Sequence, residues 1–195
     1  MRRILALVIV AAALVTMNAC ILDPAKKKGG DGGGGDTRTF GDLKEKDDIF
    51  NNLELAYEVM NFHEFQRLLN EDFIFRYPIK NQQDVWEAKQ WDRSVEEGVH
   101  RRMFGDEPPP QGVDPVSDIN VNLTPTGLWI QVTPDQGQYP GETWYKKTVD
   151  YFIQIKAGPN TYIGNDLRAE FTIRWNETDE IWQIVSWLDD LENLQ

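Results

Sequence analysis

Residues 72–78 read Asp72-Phe73-Ile74-Phe75-Arg76-Tyr77-Pro78. Aromatic and branched residues packed this densely and stopped by a proline predict a short strand. The residues before it follow a different period. Ile49, Leu53, Ala56, Tyr57 and Met60 recur at threes and fours between Asp47 and Asn70, which makes one apolar helical stripe. A second short helix is expected from Phe62 to Leu69, with Phe62, Phe65, Leu68 and Leu69 turned inward and Asn61 as cap or break. Beyond the strand, the spacing from Gln83 to Met103 predicts a third helix. Its inner side would carry Val85, Ala88, Val95, Val99 and Met103, flanked by Trp86 and Trp91 and weakened by Gly98. Phe104 to Pro115, with four prolines, is a loop.

The rest of the chain alternates at period two. Ile119, Val121 and Leu123 form one apolar set, Leu128, Ile130 and Val132 another, and Thr143 to Lys156 a long strand apolar on Tyr145, Val149, Tyr151, Ile153 and Ile155. Leu167, Ala169, Phe171, Ile173 and Trp175 alternate with Asp166, Arg168, Glu170, Thr172 and Arg174, and Ile181 to Leu188 closes the series. Turn signals separate them at 125–127, 134–141, 158–160 and 176–179. Helices gathered first and strands after, joined by short turns, predict an α+β fold: helices covering one face of a mainly antiparallel sheet.

The N-terminus follows the logic of export. Arg2 and Arg3 precede twelve consecutive apolar residues, Ile4 to Val15. As helix these rise about 18 Å, short of the roughly 30 Å of a bilayer core, so a signal peptide is expected rather than a span. Met17-Asn18-Ala19-Cys20 resembles a bacterial lipobox, with Ala19 as the small residue before the chain's one cysteine. That resemblance implies a signal peptide over 1–19 and acylation of Cys20 as the first residue of a mature chain, its acyl chains inserted among the membrane lipids. Ile21, rather than Asp, after the cysteine favours the outer membrane over the inner by analogy with enterobacterial sorting. Residues 21–35 hold six glycines and no periodicity, and are expected to act as a flexible spacer within a tether over 20–39. The domain would then span 40–195.

Over 40–195 the order of elements resembles the NTF2-like superfamily, including its SnoaL-like and ketosteroid-isomerase-like branches. The resemblance is carried by the opening helix pair through Leu69, the strand Asp72 to Pro78, the third helix, and the closing strands that end in Ile181-Trp182-Gln183-Ile184-Val185-Ser186-Trp187. It implies a cone: three N-terminal helices packed into a strongly curved, mainly antiparallel sheet, with a hydrophobic cavity at the wide end. A lipocalin-like barrel or another α+β sandwich are the alternatives.

Composition excludes several functions. The chain carries 20 Lys+Arg against 32 Asp+Glu. Five of the basic and two of the acidic residues precede Asp36, which leaves 15 against 30 and a net charge of -15 from there on. Such a field disfavours nucleic acid, whose phosphates need clustered cations. One cysteine allows neither an intrachain disulfide nor a thiolate zinc cluster. His63 and His100 lie on separate predicted helices, and neither HExxH, GxSxG nor a phosphate loop occurs, so no metal or cofactor is expected. Asp189, Asp190 and Glu192 read as a solvated tail. The cavity implied by the resemblance directs attention to a carboxylate or hydroxyl among aromatic rings. Asp150, between Val149 and Tyr151, and Tyr57 are the candidate catalytic groups, with Trp144 and Trp182 as pocket walls. If Val149 and Ile153 fill the core, Asp150 faces solvent instead. The leading expectation is a non-catalytic envelope lipoprotein that binds a small apolar ligand or another envelope protein. An isomerase- or cyclase-type cavity enzyme and a structural homodimer are its rivals.

Overall fold

In the computed structural model, which describes residues 38–80, 86–133 and 141–189, the quoted stretch is the centre of a longer strand. Helix α1 (Asp48–Glu58) buries Ile49, Phe50, Leu53, Leu55, Ala56 and Tyr57. It ends where Met60 takes a positive φ of 51° and returns the chain toward α2 (Phe62–Leu68). The Asn61 side chain caps α2 by accepting the Glu64 N–H at 3.1 Å. Strand β1 (Leu69–Lys80) runs through Pro78 instead of stopping there.

Trp86–Asp92 is strand β2, not the start of a helix, and it pairs antiparallel with β1 in the register Phe75↔Trp91 and Tyr77↔Lys89. Asp92 then caps helix α3 (Arg93–Met103), accepting from Val95 N at 3.1 Å and Ser94 Oγ at 2.8 Å. The inner stripe of α3 is also different: Glu96, His100 and Met103 are buried, whereas Val95 is 41% exposed.

The remaining strands are β3 (Val116–Val132), β4 (Trp144–Ala157), β5 (Asn160–Asn176) and β6 (Ile181–Asp189). The two apolar sets expected to form separate strands before residue 133 are one strand. Gly127, at φ 70°, sits in a register shift between Thr126 and Ile130 that bends β3 without ending it. Likewise β5 starts earlier than expected, and Asp166, at φ 53°, accompanies a second shift opposite Tyr151 and Ile153. The strand order is β2-β1-β6-β5-β4-β3, with only the β1–β6 pair parallel among these neighbours. Irregularities in four of the five pairings increase local twist and curl the sheet around the helices. The result is the α+β cone of the NTF2-like type: three helices in the mouth of a six-stranded, mainly antiparallel sheet.

The concave face is apolar, with Phe73, Phe171, Val149, Ile173 and Ile184 fully buried against Ile49, Leu53 and Phe65 of the helices. The opposite face carries paired charges, including Lys146–Glu170 at 2.9 Å and Arg168–Asp150 at 2.7 Å. At the sheet's ends the strands are protected differently. On β2, Glu87 and Lys89 place charge on an edge; on β3, the Glu54 carboxylate accepts the Leu123 N–H.

A strap of chain enters the cone ahead of α1. The Asn52 amide clasps Gly41 through both its backbone groups, at 2.7 and 3.0 Å. Leu43 is fully buried at φ 65°, and its carbonyl accepts the Trp182 N–H at 2.9 Å. The expected signal peptide, Cys20, the expected tether up to residue 37, Val85, Asp190 and Glu192 lie outside the described residues. No helix among the described residues is long and apolar enough to cross a membrane.

Candidate functional site

Two places concentrate polar groups. The first is inside the cone. Positions 96, 100 and 103 share one face of α3, so that face brings a carboxylate and an imidazole against α1. His100 Nδ1 lies 3.0 Å from the carbonyl of Glu96, a group that only accepts, so Nδ1 carries the proton. Nε2 is then the acceptor and Tyr57 Oη donates to it at 2.7 Å. His100 stacks on Phe65 at 3.8 Å between centroids, with Phe104 edge-on at 5.4 Å. The Glu96 side chain accepts the indole N–H of Trp91 and approaches His100 Nδ1 to 3.4 Å. Nearby on the inner face, Tyr151 donates to Asp189. The Trp187 indole N–H is buried without a hydrogen-bond partner among the described residues.

Burial controls the protonation of this cluster. Loss of water pushes the Glu96 carboxyl up to about 7, against the Trp91 hydrogen bond and with help from Asp189. The same loss drives His100 down to about 4, resisted by the hydrogen bond to the Glu96 carbonyl. It also raises the Tyr57 phenol well above its ordinary value, and the charges of Glu96 and Asp189 add to the effect. At neutral pH the imidazole is therefore uncharged and Glu96 is near its midpoint, an arrangement able to hold and exchange a proton. Access is another matter. Tyr57, Glu96, His100 and Asp189 are only 4%, 3%, 4% and 8% exposed.

The second place is open. A cleft of about 830 Å³ lies between α2, the irregular start of β1 and the β5–β6 hairpin. Its walls include Gln66, Arg67, Arg93, Arg174, Trp175 and Gln183. Arg174 anchors it: the side chain is only 9% exposed and holds Asp72 at 3.0 Å, with Glu71 and Glu142 each at 3.5 Å. The Gln183 amide is fixed by Asn70 and Asn176, both at 2.9 Å, and donates to the Arg67 carbonyl at 3.1 Å. Fixed donors and acceptors of this kind orient a polar ligand without reorganisation.

The four residues expected to surround one pocket are dispersed. Tyr57 belongs to the closed cluster. Asp150 points to the outer face and pairs with Arg168, because β4 alternates and Val149 and Tyr151 take the inner positions. Trp144 donates to Glu142 at 2.7 Å near the cleft rim. Trp182 lies edge-on to Tyr145 and Trp175 at 5.6 and 5.4 Å, under the ammonium of Lys46 at 5.0 Å. Sequence reasoning missed Glu96, Asp189, Trp91 and Arg174 as members of either site and gave His100 no role. The i, i+4 spacing of Glu96 and His100, with Met103 beyond, was the available signal. No group of three or more potential metal-ligating side chains occurs among the described residues.

No family model matches the chain, and no curated protein matches it. Solved structures do resemble it. A conserved protein from Planctomyces limnophilus superposes with a TM-score of 0.50 at 11% identity, over 72% of this chain and 88% of that one. An NTF2-like protein of unknown function in nutrient uptake from Rhodospirillum rubrum gives 0.46 at 10% identity, over 75% and 97%. Another NTF2-like protein, from Cytophaga hutchinsonii, gives 0.42 at 11%, over 73% and 91%. The likeness is one of fold, and the order of helices and strands carries it.

Proposed function

We propose that this NTF2-like cone is a ligand-binding module of the bacterial cell envelope, acylated at Cys20, held by the outer membrane and performing no reaction of its own. The observation that carries the binding role is the open cleft of about 830 Å³ with side chains fixed around Arg174. Its size falls in the range of roughly 300–1,000 Å³ usual for small-molecule sites. The polar wall favours a polar ligand over the apolar one expected from the sequence. The anchor rests on the lipobox resemblance at Met17 to Cys20.

Two measurements test the proposal. Full-length protein and its Cys20→Ala variant are fractionated after labelling with a radioactive fatty acid. Label and membrane retention are expected in the first and absent from the second; unlabelled protein, or a variant that stays fully in membranes, overturns the anchor. Native mass spectrometry of the gently extracted protein is expected to show a co-purified small molecule, and a bare mass in every preparation contradicts the binding role.

A catalytic reading has one observation in its favour, the Glu96 carboxyl near neutrality beside the Tyr57–His100 pair. It needs a route to groups no more than 4% exposed. The homodimer has another: Leu128 and Ile130 on β3 are 86% and 58% exposed. Sedimentation of the full-length protein at several concentrations decides it.

A further inference from the structure

We infer that the outer face of the β3–β4 hairpin, at Leu128, Ile130, Val132 and Trp144, docks on the surface of the bilayer that holds Cys20. This docking rests on the anchor just proposed. Beyond Gly127, β3 turns Trp129 inward, stacked on Phe50 at 5.5 Å between centroids. The alternate residues therefore face out. Leu128 and Ile130 are 86% and 58% exposed, and half-buried Val132 pairs with Trp144 of β4 on the same side. The Trp144 indole N–H donates to Glu142 at 2.7 Å, so the polar tip of that ring is satisfied at the border of an apolar stripe. An apolar body with a polar tip suits the boundary between lipid and water. Opposite Ile130, Lys146 is held by Glu170 at 2.9 Å, which keeps the stripe's flank locally neutral.

Two other occupants meet obstacles. A strand added along the free edge of β3 would need N–H groups there. The Leu123 N–H points to that edge and is taken by Glu54; Pro125, the next residue turned the same way, has none. A second copy would bring up another domain of net charge -15. Four side chains also fall short of the roughly 800 Å² that each partner buries in a stable dimer. A bilayer surface needs neither strand hydrogen bonds nor a matched partner.

The length and attachment of the leash favour lipid. Eighteen peptide steps separate Cys20 from Arg38, at most about 60 Å of chain. A domain of this size has a radius of gyration of about 15 Å, so the whole of it stays close to the bilayer. Arg38 pairs with Glu54 at 3.4 Å and with Glu58, and Glu54 in turn holds Leu123, five residues before Leu128. Those five residues of strand rise about 17 Å. The leash thus enters beside the edge strand that carries the stripe. A contact too weak to hold a free protein suffices here, because the acyl anchor makes the second attachment intramolecular.

The test places the full-length protein, purified from membranes, in phosphatidylcholine vesicles with and without brominated acyl chains. Acylation blocks Cys20, so an added cysteine is the one reactive thiol. Leu128→Cys and Ile130→Cys are labelled with a thiol-reactive fluorophore, and so is Thr161→Cys, exposed at the opposite end of β4 and β5. Either stripe position carries the test if the other variant does not fold. The parent is expected to take up no label and to float with the vesicles. Brominated lipid is expected to dim the probes at 128 and 130 about twofold or more relative to the one at 161, as shallow burial at the interface requires. A parent that takes up label, or that stays out of the vesicle fraction, overturns the anchor and the docking with it. A floating parent whose stripe probes stay as bright as the one at 161 overturns the docking alone. Probes already shielded in detergent, on protein that sediments at twice the chain mass, assign the stripe to a second copy and overturn the docking as well.

Discussion

Tyr57 donates its phenolic proton to Nε2 of His100 across 2.7 Å, and the acceptor role of that nitrogen follows from the carbonyl of Glu96 holding the proton on Nδ1. Both side chains are fully enclosed, so each depends on the other for hydrogen bonding. Tyr57→Phe strands Nε2 without water or donor. The expected loss is about 1–3 kcal/mol of unfolding free energy, the cost of an unsatisfied buried polar group. Urea denaturation measures it. A Tyr57→Phe, His100→Phe double variant should recover part of that loss, and a single variant as stable as the parent refutes the pairing.

Glu96 and His100 load the protein with opposite pH dependences. The Glu96 carboxyl rises from an ordinary 4.5 to about 7 on folding, so its contribution is whole below 4.5 and fades as pH climbs through 7. His100 falls from 6.5 to about 4, so its contribution is whole above 6.5 and fades as pH drops through 4. Between pH 4.5 and 6.5 the two slopes oppose and nearly cancel. Glu96→Gln removes one of them. The stability difference between parent and variant is therefore expected to change by about 3 kcal/mol between pH 4.5 and 7, at roughly 1.4 kcal/mol per unit, with the parent's relative advantage shrinking as pH rises. Denaturant curves at four pH values decide it, and a pH-independent difference rejects the buried carboxylic acid.

Asp150 and Arg168 form an exposed pair. Asp150→Asn should change stability by less than about 1 kcal/mol, as solvated ion pairs do. It should also leave the native mass spectrum of co-purified ligand unaltered. Loss of the ligand in that variant would return Asp150 to the site.

Leu43 is fully buried in the strap ahead of α1. Leu43→Ala is expected to cost about 2–5 kcal/mol, as deletion of an enclosed leucine side chain does. Thermal or urea unfolding reads it directly, and a loss below about 1 kcal/mol would show that the strap is not part of the cooperative core.

The legible parts of the fold were those where local pattern and tertiary demand agree. Asn61 is a cap by sequence and by geometry, and the alternation through Ala169, Phe171 and Ile173 fixes which face of β5 is inner. Trp86–Asp92 misled because Glu87, Ala88, Lys89 and Gln90 are good helix formers in isolation. Pairing with β1 overrides that preference, and the same charges serve an edge strand. On α3 the apolar count pointed to Val95 and Val99, while the structure buries Glu96 and His100 because each finds a partner: Trp91 for the acid, Tyr57 for the imidazole. A hydrophobic pattern has no means of registering a polar residue that is satisfied inside. The cleft was invisible for another reason. Arg67, Arg93, Arg174 and Gln183 come from four elements, and only the curl of the sheet makes them neighbours.

The strap also reaches the cleft. The Asp42 carbonyl accepts from Arg67 at 3.4 Å, and Lys44 reaches the carbonyl of Glu180 at 2.6 Å. Arg67 is a wall of the cleft, and Glu180 lies between its residues Asp179 and Ile181. The other end of the strap is fixed elsewhere, where Arg38 pairs with Glu54 and Glu58 of α1. The strap therefore bridges helix α1 and the lip of the cleft, and any change that loosens it at Gly41 or Leu43 would be felt at Arg67 as well.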